Sequence, residues 1–389
     1  MFKVKTHNAI SVKGLERFSR NKYEVGNAIA HPDAIMLRSY KMSMDDAVDT
    51  LLAVGRAGAG TNNVPVAEYT EKGIVVFNTP GANANAVKEL VLTALLLGSR
   101  GIVEGIQYVN TLTEEKDAAA MGKLLEAEKK RFTGTEILGK TLGVVGLGAI
   151  GSLVASMALD MGMKVVGYDP ALSIEAAWRL PNRVGKMENL QSLFSKSDFV
   201  TIHVPALDVT RGMINSDVLS SAKTGLKLLN FARDEIVDVP AVLAALDAKK
   251  IATYISDFPR PELIGRRDCI SIPHLGASTE EAEENCAVMA ADQLIDFLEN
   301  GNIKNSVNFP SLTLERSTPF RITFSNNNVP KMLGNVLSLL ADENLNVVDM
   351  LNKSRGEVAY NIIDVDTQPS ENLLAKIAAV DGVIKVRNI

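Results

Sequence analysis

Thr141–Gly151 reads TLGVVGLGAIG, and this stretch decides the fold of the 389-residue chain. An apolar run that suits a buried strand stops at Gly146, and Gly148 and Gly151 complete a GxGxxG pattern. A helical pattern follows at once, and then a second apolar run, KVVGYD, ends on Asp169. Strand, glycine turn, helix and strand in that order are the opening unit of a dinucleotide-binding fold. The first glycine allows the tight turn, the second lets a pyrophosphate reach the backbone, and the third lets helix and strand pack closely. The N–H groups at the helix start, including those of Ala149 and Ile150, face the phosphates together with the positive end of the helix dipole. Asp169 is placed to accept the ribose hydroxyls. No arginine follows it in Asp169-Pro170-Ala171, so NAD is expected rather than NADP.

Working outward, similar units recur through DFVTIHVP, LKLLNFA and ISIPHLG, the rhythm of a doubly wound parallel sheet. Upstream, short β-rich runs between Ala34 and Val76 alternate with helix-like stretches such as Ser43 to Leu52, which predicts a smaller parallel α/β domain. One long helix is expected from about Asn83 to Asn110, followed by a lysine-rich polar stretch from Thr113 to Arg131 that has little to bury. A second long helix is expected from about Ser278 to Asn300, opened by Ser-Thr-Glu-Glu and closed at Gly301. Residues 319–389 alternate as β-α-β-β-α-β, a ferredoxin-like module. The expected domains are a split α/β substrate domain (1–95 and 280–310), an inserted NAD domain (96–279) and the C-terminal module (318–389).

Composition narrows the function. A formal net charge of -5 lacks the basic excess that nucleic acid or an anionic membrane demands. The opening MFKVKTHNAI lacks the apolar core of a signal peptide, and the apolar run near Leu90 to Leu97 is too short to span a bilayer, so a cytoplasmic protein is expected. Cys269 and Cys286 have no metal-ligand spacing and read as free buried thiols, with no metal expected. Oxidising a secondary alcohol needs a base for the hydroxyl proton. Of four histidines, His203 and His274 end β-runs, where open α/β sheets bind ligands, and His274 in PHLGAST is the better candidate. Arg233, also at a strand end, suits a substrate carboxylate.

Beyond these local readings, the chain resembles the D-2-hydroxyacid dehydrogenase family along essentially its whole length. The resemblance rests on LRS at Leu37 to Ser39, VGRAGAGTNNV, VVFNTP, the glycine fingerprint, YDP, SDFVTIHVP, NFARDEIVD, SDFPRPE and IPHLGAST. It implies a catalytic trio at Arg233, Glu262 and His274, with the active site in the cleft of the split fold. It also implies cofactor contacts from His203, Val204, Pro205, Phe231, Ala232, Asp257 and Gly276. On the substrate side it implies Arg38, Ser39, Arg56, Ala59, Gly60 and Asn83.

Three departures from the family pattern stand out: Asp234 and Glu235 follow Arg233 where glycines are usual, Glu262 follows a proline instead of preceding one, and in Thr61-Asn62-Asn63 an asparagine, Asn62, replaces an aspartate. Two arginines suit a phosphorylated acid, and the C-terminal module resembles an ACT domain, a small-molecule sensor found on amino-acid biosynthetic enzymes. The expected reaction is therefore NAD-dependent oxidation of 3-phosphoglycerate at the entry to serine synthesis, by a homo-oligomer with an amino-acid effector. Reduction of another 2-oxo acid, such as 2-oxoglutarate or hydroxypyruvate, and a non-catalytic NAD-sensing role are the rival readings. In ACT domains a glycine usually follows the proline of the first turn. Here Lys331 stands in that place, so serine is expected to act weakly.

Overall fold

The computed structural model describes residues 1–389, with the side chain of Glu175 left aside. The chain forms two compact units, Met1–Asn83 with Glu280–Ile389, and Ala84–Thr279.

The first unit holds a five-stranded sheet of β1 (Phe2–Thr6), β2 (Tyr23–Gly26), β3 (Ala34–Leu37), β4 (Ala53–Arg56) and β5 (Val75–Phe77), ordered β2-β1-β3-β4-β5. Every pairing is parallel. Both faces are covered, which explains why the strands read as continuous apolar runs. Ala34, Met36 and Phe77 face the helix Glu280–Asn300, whereas Ile35, Leu37 and Val76 face a second core with Met42, Leu51 and Tyr69. Gly55 permits the close approach, since a Cβ there would lie 2.8 Å from the Leu294 side chain. The helix expected in Ser43–Leu52 is instead one 3-10 turn, Met44–Asp46, closed by a capping box between Ser43 and Asp46. β1 and β2 precede the first strand read from the sequence.

The second unit is a seven-stranded sheet, all of its pairings parallel. It consists of β6 (Thr141–Val145), β7 (Lys164–Tyr168), β8 (Gly185–Lys186), β9 (Phe199–Ile202), β10 (Leu226–Asn230), β11 (Ile251–Ser256) and β12 (Cys269–Ser271), ordered β12-β11-β10-β9-β6-β7-β8. The order reverses between β6 and β9, the switch point where such sheets bind ligands. The doubly wound expectation is borne out. The long helix foreseen from Asn83 is two helices, Ala84–Ser99 and Ile102–Asn110, with Gly101 pressed so close to the Phe132 backbone that a Cβ would sit 2.8 Å away. The polar stretch after it contains another helix, Ala118–Glu128, and neither this helix nor Ile102–Asn110 buries a described residue.

The C-terminal residues form β13 (Phe320–Asn327), β14 (Val347–Arg355), β15 (Val358–Val365) and β16 (Val383–Asn388), with helices Met332–Asp342 and Glu371–Ala378. The antiparallel order β14-β15-β13-β16 is the ferredoxin-like one that the alternation predicts. Within the first unit this sheet is also covered twice. Ile363, Val365, Ile322 and Phe324 meet its own helices, while Val358, Tyr360 and Ile362 join Phe297 and Phe309. Both thiols are free, Cys286 buried and Cys269 only partly so.

Candidate functional site

At the switch point of the second unit, Gly146 has φ 87° and lies against the end of β9, where a Cβ would come within 2.7 Å of the His203 carbonyl oxygen. A Cβ on Gly151 would stand 1.9 Å from the Gly146 carbonyl oxygen. Only glycine fits either place. Around Gly148 a Cβ would meet nothing within 4 Å, so there is open space in front of the helix Ala149–Asp160. Asp169 ties the loop down, with one oxygen accepting the Leu147 N–H at 2.8 Å and the other the Ala171 N–H at 2.9 Å. This cradle fits NAD: open backbone for a pyrophosphate, a helix start for its charge, and a braced carboxylate for the ribose.

His203 leaves β9 with its Nε2 3.0 Å from the Thr201 hydroxyl. Burial pushes its pKa down to about 3, so the ring is neutral. Its Nδ1 is buried without a partner. Val204 and Pro205 continue the same segment, and Phe231 and Ala232 are buried at the end of β10. Arg233 follows, half-buried, donating to its neighbour's carbonyl, Ala232 O, at 2.6 Å. The acidic side chain beside it is already neutralised, because Arg260 donates to both oxygens of Asp234 at 3.0 and 2.5 Å.

Asp257 is 1% exposed, and its oxygens accept the N–H groups of Leu275 at 2.6 Å and Gly276 at 2.8 Å. The His274 N–H in turn donates to the Asp257 carbonyl at 3.1 Å. This buried carboxylate thus clamps the loop that carries the candidate base. His274 itself has φ 52°, a left-handed conformation that such a clamp can hold, and its ring is exposed beside Phe258. Glu262 lies in the turn Pro261–Leu263, exposed and near Arg260. Among the described residues no hydrogen bond joins it to His274.

In the first unit the carboxyl ends of β3 and β4 release Arg38 and Arg56. Leu37 of β3 stands opposite Arg56 of β4, so Arg38 and Arg56 leave neighbouring strand ends. The Arg56 guanidinium lies over Gly58, where a Cβ would be 1.6 Å from it. Asn78 holds the Ala59 carbonyl at 2.7 Å, and among the described residues no internal acceptor takes the N–H of Ala59 or Gly60. Asn83 has a buried Oδ1 without a partner. Ser39 is exposed, its N–H donating to Asn8 Oδ1 at 3.1 Å. Asn63 is structural, bonding the Arg38 and Tyr40 carbonyls at 3.1 and 2.7 Å.

Sequence reasoning missed Glu283, which pairs with Arg38 at 2.6 Å, and His7, stacked 3.8 Å from Tyr40 at the end of β1. Burial holds the His7 pKa below the usual histidine range. Its place after an alternating FKVKT run was the available signal.

The fingerprint, switch point and braced acid define a dinucleotide-binding α/β protein. Residues 101–276 match the family described as D-isomer specific 2-hydroxyacid dehydrogenase, NAD binding domain. The chain belongs to that family. It is 36% identical over 310 residues to the D-3-phosphoglycerate dehydrogenase of a Synechocystis strain, a match covering 76% of this chain and 53% of that one. The D-3-phosphoglycerate dehydrogenase of Haemophilus influenzae is 33% identical over 380 residues, 94% of this chain and 88% of that one. Among solved structures, an NAD+-bound 3-phosphoglycerate dehydrogenase from Entamoeba histolytica shares the fold, with TM-score 0.62, 24% identity, and coverage of 80% of this chain and 99% of that one. The sequence resemblance and the NAD expectation are thereby borne out.

Proposed function

We propose that the protein oxidises 3-phosphoglycerate to 3-phosphohydroxypyruvate with NAD, the entry step of serine synthesis. The observation that carries this reading is that Arg38 and Arg56 leave neighbouring strand ends, followed by the N–H groups of Ala59 and Gly60, which have no internal acceptor among the described residues. Two guanidinium groups give a phosphate bidentate, charge-assisted contacts that an uncharged tail would not need. The relatives' names point the same way, although the chain spans just over half of the Synechocystis one.

In this mechanism Arg233 holds the substrate carboxylate. His274 accepts the hydroxyl proton and becomes cationic. Asp257, clamping the N–H groups of Leu275 and Gly276, keeps that imidazole in place. Glu262 supplies negative charge to the imidazolium after a rotation toward it. NAD, when bound, accepts the hydride. The glycine turn of residues 146–151, with Ala149 and Ile150, holds its pyrophosphate and Asp169 its ribose, while His203, Val204, Pro205, Phe231, Ala232 and Gly276 flank its remainder.

The functional domains in this reading are 1–95 with 280–310 for substrate, 96–279 for NAD, and 318–389 for regulation, in a cytoplasmic homo-oligomer. A second copy is the partner we assign to the helices Ile102–Asn110 and Ala118–Glu128. They bury nothing in one chain and expose Ile102, Ile106 and Val109 along one face. An amino-acid effector at the C-terminal module would bind weakly. Lys331 adopts φ 72°, a conformation suited to glycine, while the amides of Asn326 and Asn328 are spent on Asn327 and Gly356 carbonyls.

The test is NADH production from 3-phosphoglycerate against glycerate, lactate and 2-hydroxyglutarate. Arg56→Ala should impair the phosphorylated substrate far more than the others, and equal losses would refute the phosphate assignment. His274→Ala should lower turnover by roughly 10²–10⁴-fold with NADH binding retained.

A further inference from the structure

Glu283 lies in the first turn of the helix Glu280–Asn300, and its Oε1 is 2.6 Å from Nη1 of Arg38. Cys286 lies three residues further along the same helix face and is buried. Arg38 and Arg56 leave neighbouring strand ends, since Leu37 of β3 stands opposite Arg56 of β4, and Glu283 reaches the first of them. The two paired side chains stay 38% and 43% exposed, so a solute can reach them. A carboxylate of this chain thus occupies the arginine face that an anionic substrate would use, with the same charge and the same hydrogen-bonding geometry.

We propose that Glu283 is a built-in competitor at the anion pocket: it holds Arg38 until the substrate displaces it, and so sets the affinity and charge preference of the pocket. An exposed ion pair of this kind is weak and exchangeable, which is what displacement requires. Once displaced, the carboxylate remains beside the bound anion. Its repulsion acts about twice as strongly on a doubly charged phosphate as on a singly charged group, because the energy scales with the product of the charges. Glu283 therefore penalises the phosphorylated substrate more than an unphosphorylated one.

This rests on the reading of Arg38 and Arg56 as the phosphate pocket, and the experiment separates the two. Inorganic phosphate is titrated calorimetrically into NADH-saturated protein, so that the cofactor's own phosphate site is filled. Steady-state constants are measured alongside for 3-phosphoglycerate and for glycerate. Glu283→Gln should tighten phosphate binding and lower KM for 3-phosphoglycerate by about three- to tenfold, exceeding any change in kcat, with a smaller shift for glycerate. Glu283→Ala should move in the same direction, which shows that charge and not the amide is responsible. Unchanged or weaker phosphate binding in both variants, or equal KM shifts for the two substrates, overturns the inference. If the wild type ignores 3-phosphoglycerate while Glu283→Gln still tightens phosphate, the substrate reading falls and the competitor role stands.

Discussion

The two ends of the helix Glu280–Asn300 carry arginine contacts of opposite character. At its amino end Arg38 meets Glu283 with both side chains open to water. Just beyond its carboxyl end, Arg321 pairs with Asp364 at 2.5 and 2.8 Å with both side chains fully buried, and it also donates to the carbonyls of Asn300, Leu314 and Glu315. Arg387 adds bonds to the Phe297 and Leu298 carbonyls while stacking on the Phe297 ring, and the Tyr360 hydroxyl bonds the Gly301 carbonyl. The last turn of a helix leaves carbonyls without helical partners, and here Arg321 and Arg387 of the C-terminal sheet supply donors to those of Asn300 and Leu298. Burial makes the second set permanent, since nothing in water can replace it, whereas exposure makes the first exchangeable. Architecture and ligand response are thus assigned to opposite ends of one helix.

The contrast is broken most severely by Arg321→Met, which strands Asp364 in the interior and should cost about 3–5 kcal/mol. Urea unfolding followed by circular dichroism would measure it, and Arg321→Met with Asp364→Leu should recover much of the loss. Acid should act through the same pair with a smaller effect. Burial alone would raise the Asp364 pKa, but the bonds from Arg321 and Ser317 outweigh it and the net shift is downward. A carboxyl depressed in the folded state contributes stability above its unfolded pKa, about 3.9, and loses it as pH falls through the folded value. Urea midpoints measured from pH 6 down to pH 3 should fall in the wild type and fall less steeply in Asp364→Asn. The smallest effect belongs to the open end, where Arg38→Met should change stability by less than about 1 kcal/mol. A loss there as large as at Arg321 would erase the distinction.

Much of the fold was legible because its signals are local. GxGxxG between strand and helix, an acid at the next strand end, and the alternation of residues 319–389 each depend on a short window of chain. The site was legible in part. His274 and Arg233 could be named from strand ends and motifs, yet that the Asp234 charge beside Arg233 is neutralised shows only when Arg260, 26 residues away, is seen against it. Glu283 escaped notice because it sits in an acidic first turn that already suits a helix dipole, so nothing in its own neighbourhood called for a partner. Ser43–Leu52 misled in the opposite direction, since acidic residues and a serine cap satisfy one 3-10 turn as well as the start of a helix.

By itself the sequence determined the parallel sheets, the cofactor cradle and the ferredoxin-like module, because periodicity, glycine geometry and capping act over a few residues. Tertiary structure alone decided which charges meet and which faces are covered. The eight residues of β15 are all buried although their own two helices cover a single side, because Val358, Tyr360 and Ile362 turn toward Phe297 and Phe309. Contacts of that range join residues dozens of positions apart. They depend on where whole elements pack, and no short window of sequence records that.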